Sequence, residues 1–313
     1  MAADRYNIGI IGAGVVGGAT GKGLQKLGYE VTFCDIDKSK TFSLRQEGYQ
    51  VASSISELMS NSNITFVCVN TPTINSRSNL YNDKRTIENG SYQDLSQILS
   101  VLPEISSSLS TDSRKHQLLV FRSTLLPGTM RNIVVDYLER NCSTSIGKDF
   151  DVCYNPEFLR QKSALEDFFE PGRVVIGEGT KGSSVPLVEI FRALTRNIII
   201  TEYEEAEMIK YASNGFLALK ISYFNEIAMV CKMLGIDDKT VSRGVALDSR
   251  IGAYGVLGGM PFGGACLPKD TAALTSFLRK LGIRPDLIET AVQINNEIEE
   301  LSSRKQIIHD IDR

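Results

Sequence analysis

A chain of 313 residues, 42% hydrophobic and 23% charged, is large enough for two domains of about 100–200 residues each and has an ordinary soluble composition. Its net charge of −3 gives no reason to expect nucleic acid or an anionic membrane as partner. No apolar run approaches the roughly 18 residues that span a bilayer, and Met1–Gly14 lacks the basic start and cleavage site of a signal peptide, which predicts a cytoplasmic protein.

The first half alternates strands and helices. Asn7–Ile11 reads as a short apolar strand and is followed at once by Gly12-x-Gly14-x-x-Gly17. A helical pattern then runs to Leu27-Gly28, and Glu30–Cys34 forms a second strand ending at Asp35. In this arrangement Gly12 permits a tight turn, Gly14 admits a pyrophosphate to the backbone, and Gly17 lets the helix pack on the strand. The phosphates meet free amides at the helix N-terminus. Asp35, 18 residues beyond Gly17, is placed to accept hydrogen bonds from ribose hydroxyls and to repel a 2′-phosphate, which selects NAD over NADP.

Further strands are predicted at Ile64–Val69, Gln117–Phe121, Asp151–Tyr154, Arg173–Ile176 and Asn197–Thr201. Helices are predicted at Ser39–Glu47, Ser91–Leu102, Thr129–Arg140 and Ser184–Leu194, giving a doubly wound parallel sheet. Ligands bind such sheets at the carboxyl ends of the strands. Three of those ends carry unusual sequence: Val69-Asn70-Thr71-Pro72-Thr73, Arg122-Ser123-Thr124 before Pro127-Gly128-Thr129, and Tyr154-Asn155-Pro156-Glu157-Phe158. Turn chemistry alone also uses these residue types. Ile74–Gly90 reads as a polar loop, and the serine-rich Ser106–Arg114 as a surface connection.

The second half is helical. One long pattern spans Glu204–Leu234 and stops at Gly235; a second spans Pro285 to about Lys305. Lys210 and Asn214 are four apart and share a face, within the largely apolar MIKYASNGFLALKIS. Between Asp238 and Thr271 lie shorter helices and the segment PFGGACLPKDT, which sets the Cys266 thiol between a glycine pair and Lys269-Asp270. A redox-cofactor fingerprint together with such a thiol points to an oxidation through a sulfur-bound intermediate.

None of the six cysteines forms a C-x-x-C pair, so a metal site is not expected and the thiols read as reduced. Cys34, Cys68, Cys153 and Cys231 lie in apolar runs and read as small buried hydrophobes. His116 and His309 have no motif around them, so proton transfer falls to other side chains.

The run GIIGAGVVG, NTPT, RSTLLPGT, YNPEFLRQKSALEDF, AEMIKYASN and FGGACLPKD resembles the UDP-glucose / GDP-mannose dehydrogenase family in order and spacing over residues 6–300. The resemblance implies a Rossmann-type doubly wound α/β domain at 1–202 and an all-helical central dimerisation domain at 203–313. It implies oxidation of C6 of a nucleotide-linked sugar from alcohol to carboxylate with two NAD⁺, UDP-glucose to UDP-glucuronate being the commonest case, in service of polysaccharide biosynthesis.

It also implies residue roles. Cys266 is then the nucleophile that forms a thiohemiacetal and a thioester. Lys210 stabilises the developing oxyanion and Asn214 is a second donor. Asp270 handles the attacking water or its proton, while Thr124 and Glu157 position that water. The cofactor falls to Gly12, Gly14, Val15, Val16, Gly17, Asp35, Lys40, Thr71, Pro72, Thr73, Ser123, Thr124 and Lys269, with Lys269 also lowering the Cys266 pKa by its charge. The sugar falls to Glu157, Phe158, Leu159, Arg160, Lys210, Asn214, Phe262 and Gly263, and Gly264 adds to the close backbone approach. Arg250 reaches the substrate of the neighbouring subunit, which implies a homodimer on the long central helix.

Two departures stand out. A second glutamate commonly follows Glu157 by four residues in this family, and here that position is Gln161, which cannot act as a base. The family also continues into another α/β domain that grips the nucleotide, and this chain is expected to lack it, at a cost in kcat/KM. GDP-mannose and UDP-N-acetylhexosamine dehydrogenases, a non-catalytic NAD-binding relative, and a β-hydroxyacid dehydrogenase are the alternative readings. The last leaves Cys266 and NPEFLR unexplained.

Overall fold

The structure, a computed structural model, describes residues 6–75, 91–111 and 116–311. It divides into two compact units, one of Met1–Pro72 with Gln93–Lys210 and one of Thr73–Tyr92 with Tyr211–Arg313.

The first unit begins with β1 (Asn7–Ile11), α1 (Val15–Lys26), β2 (Glu30–Cys34), α2 (Lys38–Gln46), β3 (Gln50–Val51), α3 (Ile55–Asn61) and β4 (Ile64–Val67). β5 (Thr73–Asn75) and β6 (Ser91–Gln93) pair with each other in a small separate sheet. There follow α4 (Ser96–Thr111), β7 (Gln117–Phe121), a π-helical turn at Met130–Val135 leading into α5 (Asp136–Asn141), and β8 (Phe150–Tyr154). A 3₁₀ turn at Gln161–Ser163 leads into α6 (Ala164–Phe169), then β9 (Val174–Glu178), α7 (Val185–Phe191) and β10 (Ile198–Thr201). The main sheet has eight strands in the order β10-β9-β8-β7-β4-β1-β2-β3. Its central strands are mostly apolar, as burial on both faces favours: β4 reads ITFV and β7 QLLVF, every residue buried. One hydrophobic cluster lies on each face, one built on Val67, Leu119 and Phe121, the other on Ile10, Phe66 and Val120.

The sheet is the expected doubly wound one except at one strand pair, which is not parallel. β8 and β9 pair antiparallel, Tyr154 opposite Gly177, and β10 follows β9 in parallel. A parallel return needs a crossover that carries the chain back along the strands. The six-residue α6 rises only about 9 Å, short of the strand length, so the chain re-enters from the edge it left.

Other boundaries move for local reasons. The predicted helix Ser91–Leu102 is instead a strand and then α4, because the Asp94 carboxylate accepts the Ser96 N–H at 2.8 Å and sets the helix start there. The serine-rich stretch is not a surface connection as far as Thr111. Ser106, Ser108 and Ser110 bond back to the carbonyls of Pro103, Glu104 and Ser106 at 2.8–3.0 Å, while Ile105 and Leu109 carry the buried stripe. The rest of that stretch, 112–114, lies outside the described residues, as does 76–90 of the predicted polar loop. Strand β4 ends at Val67 rather than Val69, the helix predicted at Ser184–Leu194 is the shorter α7, and β3, α3 and α6 are additional elements.

Helix α8 (Tyr203–Leu234) is one continuous run of 32 residues, ended by Gly235 at φ 66°. In the second unit it is joined by α9 (Asp238–Ala246), α10 (Leu267–Lys280) and α11 (Asp286–Ile311). Gly215 lets α8 approach its neighbours, since a Cβ there would meet Leu274 and Ile288 at 3.1 and 3.3 Å. The Ser222 hydroxyl donates to the Ala291 carbonyl at 2.6 Å, tying α8 to α11.

Candidate active site

The glycine-rich turn joins β1 to α1. Gly12 takes φ 89°, and a Cβ there would sit 2.9 Å from the Cys68 backbone. A Cβ on Gly17 would lie 1.8 Å from the Gly12 carbonyl oxygen, so this position admits only glycine. A Cβ on Gly14 would meet nothing closer than Asn70 Oδ1 at 4.0 Å, which leaves the backbone open to a ligand. Gly12, Gly14, Asp35, Lys40, Val69 and Asn70 all line one cleft of about 790 Å³. Val15 and Val16 open α1 beside it, Val15 half exposed. Asp35 closes the turn: its Oδ2 accepts the Ala13 N–H at 2.6 Å and its Oδ1 the Asp37 N–H at 2.8 Å. Lys40 stands 3.6 Å from the same carboxylate. An open backbone at a helix N-terminus with an acidic residue at the end of β2 fits a dinucleotide without a 2′-phosphate.

The loops after β4 and β7 are pinned together. Ser123 donates from Oγ to the Val69 carbonyl at 2.6 Å. The Thr124 carbonyl accepts from Thr71 Oγ1 at 2.8 Å and from Gln93 Nε2 at 2.6 Å, and Gln93 Oε1 takes the Leu126 N–H. Further on, Glu207 of α8 accepts the N–H groups of Gly128 and Met130 at 2.6 and 2.7 Å. Sequence reading missed Gln93 and Glu207, because a lone polar residue has no motif until its distant partners are known.

Beside this lies a buried ion pair. Lys210 is 2% exposed and Glu157 4%. Lys210 Nζ donates to Glu157 Oε1 at 2.9 Å and to the Glu157 carbonyl at 2.6 Å, while Glu157 Oε2 accepts the Leu159 N–H at 2.6 Å. Burial pushes the Glu157 carboxyl up, but the Lys210 ammonium and the Leu159 N–H outweigh it and hold it below the usual carboxylate range. Phe158 has two cations near its ring, the Arg173 guanidinium 3.9 Å and Lys210 Nζ 5.4 Å from the centroid. Arg160 turns to Asp167, which takes its backbone N–H at 2.7 Å and its guanidinium at 2.5 Å. Gln161 is exposed at the start of the 3₁₀ turn.

The second unit carries the thiol. Cys266 is half-buried at the N-cap of α10, where the helix dipole favours an anion. By contrast, burial pushes the Cys68 and Cys153 thiols up to about 12, so they stay protonated. Asp270, in the first turn of α10, is 1% exposed. Its Oδ2 accepts from Asn214 Nδ2 at 2.6 Å and its Oδ1 from Lys269 Nζ at 2.6 Å. The Lys269 ammonium is therefore drawn to Asp270 rather than left to act on Cys266 alone, and the Lys269 carbonyl accepts from Thr73 Oγ1 at 3.0 Å.

The loop before Cys266 is held by buried asparagines that sequence reading passed over. Asn295 accepts the Phe262 N–H at 2.6 Å and donates to the Phe262 carbonyl at 3.2 Å. Asn225 accepts the Gly259 N–H at 2.7 Å and donates to the Met260 carbonyl at 3.0 Å. Phe262 is buried, Gly263 exposed, and Gly264 takes φ 77°. Arg250 points to solvent, its side chain 87% exposed and bonded to Asp248 at 2.6 Å.

Comparison with known proteins agrees over both units. The profile of the UDP-glucose/GDP-mannose dehydrogenase family, NAD binding domain, matches residues 43–195, and that of the same family's central domain matches 204–297. Residues 8–76 also match ketopantoate reductase PanE/ApbA. The chain is 35% identical to UDP-glucose 6-dehydrogenase of Rickettsia bellii, covering 93% of this chain and 67% of that protein. It is 33% identical to GDP-mannose 6-dehydrogenase of Pseudomonas putida, covering 94% and 68%. A solved UDP-glucose dehydrogenase from Pyrobaculum islandicum superposes with a TM-score of 0.80 at 31% identity, covering 93% and 68%.

Proposed function

The chain belongs to the UDP-glucose/GDP-mannose dehydrogenase family, whose members are NAD-dependent oxidoreductases, and from that premise we propose that it oxidises C6 of UDP-glucose to the uronic acid through a thioester on Cys266. The observation that carries this reading is the state of the thiols. Burial pushes the thiols of Cys34, Cys68, Cys142 and Cys153 up, whereas Cys266 stands at a helix N-terminus with Asp270 in the first turn of that helix. GDP-mannose is the second substrate to test, because a relative of that name is 33% identical.

Gly12, Gly14 and Asp35, with Lys40 nearby, would hold NAD⁺, which would accept one hydride in each of two oxidations: the first turns the C6 alcohol into the aldehyde with release of a proton, the second turns the thiohemiacetal into the thioester. Val15, Val16, Thr71, Pro72, Thr73, Ser123 and Lys269 complete that proposed set. Lys210, oriented by Glu157, supplies positive charge to a developing oxyanion. The Cys266 sulfur adds to the C6 aldehyde, and its proton passes to the oxygen of the thiohemiacetal. Oxidation of that adduct gives the thioester, and water cleaves it to carboxylate and free thiol. Asp270, carried between Asn214 and Lys269, is the group assigned to the water proton. Thr124 holds the water, and Phe158, Leu159, Phe262 and Gly263 enclose the sugar. Free thiols throughout favour a reducing cytoplasm, with the product feeding polysaccharide synthesis.

A homodimer is supported by α8, on which Phe216, Tyr223 and Val230 recur every seven residues at 63, 53 and 51% exposure. In that dimer Arg250 is the residue assigned to the partner's substrate.

The test is NADH formation with UDP-glucose and with GDP-mannose, in the parent chain and in Cys266→Ser. Serine is expected to lower turnover by about 10³-fold or more, as loss of a nucleophile does. Parental turnover in the serine variant would remove the covalent mechanism.

A further inference from the structure

Arg122 stands just past the end of β7 at 5% exposure and lines one cavity with Asn155, Pro156 and Glu157. Its Nη1 donates to the Asn155 side-chain oxygen and, at 3.5 Å, to the Asn155 carbonyl. Its guanidinium carbon lies 5.7 Å from the Phe191 ring centroid. Asn155 is fixed from two other sides: its N–H donates to the Phe121 carbonyl at 2.8 Å and its Nδ2 to the Val175 carbonyl at 2.7 Å. The next residues are Pro156 and Glu157, so Arg122 grips the turn that presents Glu157 to Lys210.

The charges do not cancel. Lys210 pairs with the Glu157 carboxylate, Arg122 makes no ion pair with it among the described residues, and Arg122 Nε has no hydrogen-bond partner among them. Burying a cation without a carboxylate of its own is costly. A methionine or glutamine of similar length would fill the space beside Phe191 without that cost. The retained charge therefore does something that packing does not require.

We propose that Arg122 is a positioning residue for the oxidation: through Asn155 it orients the turn that carries Glu157, so that Glu157 and Lys210 are held in one place. This rests on the oxidoreductase reading above. The groups facing Glu157 are Lys210 from α8, Arg122 from the end of β7, the Cys68 thiol after β4 and the Leu159 N–H of its own loop. Cys68 stays neutral, so Arg122 and Lys210 are the charges that act on Glu157.

The test uses the chain without ligand first. Carboxyl carbons of labelled glutamates are titrated by NMR, with the Glu157 signal identified by its loss in Glu157→Gln. Arg122→Met is expected to raise the Glu157 midpoint, and Arg122→Lys to leave it in place. Turnover of NAD⁺ with UDP-glucose is expected to fall about 10²-fold in kcat/KM in both variants, because lysine keeps the charge but loses the grip on Asn155. An unchanged Glu157 midpoint in Arg122→Met overturns the proposal. Parental kcat/KM in Arg122→Lys also overturns it, and that variant decides if the methionine variant does not fold. The titration needs no turnover. A chain that oxidised no nucleotide sugar would refute the reaction while the carboxyl midpoints still decided the coupling.

Discussion

Glu207 meets the N–H groups of Gly128 and Met130 with a carboxyl group that is wholly buried. Burial raises its pKa to about 8, more than the two backbone bonds lower it. An unfolded glutamate releases its proton near 4.5, so the folded chain holds the proton over the intervening range. The contribution of this group to stability is fully present below about pH 4.5 and is lost as pH rises through about 8. Glu207→Gln stays neutral throughout. Its deficit in Tm against the parent should therefore shrink between about pH 5 and about pH 8.5. A deficit that grows with pH would mean an ionised carboxylate and would sink the argument. None of this was legible in the sequence, where Glu207 lies in a long helical run and its partners are 77 and 79 residues away. Lys210 is different: its apolar neighbours announced a buried face, because helix periodicity makes burial a local property.

Helix α1 shows how far local pattern reaches at the scale of an element. Its spacing of glycines assigned each a distinct task, and the contacts sort them the same way. Alanine at Gly17 would drive a methyl group to 1.8 Å from the Gly12 oxygen, whereas at Gly14 the nearest atom is 4.0 Å away. Gly17→Ala should cost about 1–3 kcal/mol in a denaturant melt. Gly14→Ala should stay within about 1 kcal/mol of the parent yet bind NAD⁺ more weakly in a titration. Equal loss of stability in the two variants would contradict the division of labour. The same local logic was available but unread at α3, where Ser54 accepts the Glu57 N–H and Glu57 returns to the Ser53 N–H. It misled at α4. A run of serines looks like a loop, yet each hydroxyl found a carbonyl one turn back once Ile105 and Leu109 were buried.

At the scale of the whole molecule, the exposed face of α8 is the feature with the largest consequence. Glutamate at both Phe216 and Tyr223 should convert a dimer to a monomer in sedimentation velocity, with the helical content unchanged by circular dichroism. A parent chain that already sediments as a monomer would remove the proposed interface. The amino-acid sequence by itself determined the order of the chemistry: a glycine fingerprint, an acidic residue after the second strand, a lysine on a long helix and a thiol between a glycine pair and Lys269-Asp270. Each depends on spacing within a few residues, and hydrogen bonding along the chain turns such spacing directly into geometry. Only the tertiary structure decided which polar groups meet. Glu157 pairs with Lys210 across 53 residues and Asp270 with Asn214 across 56, while Arg122 bonds to Asn155 without a carboxylate of its own. It also decided that β9 runs against β8. These outcomes depend on which groups lose water together, and a buried charge is set by the partners that the fold brings to it rather than by its neighbours in sequence.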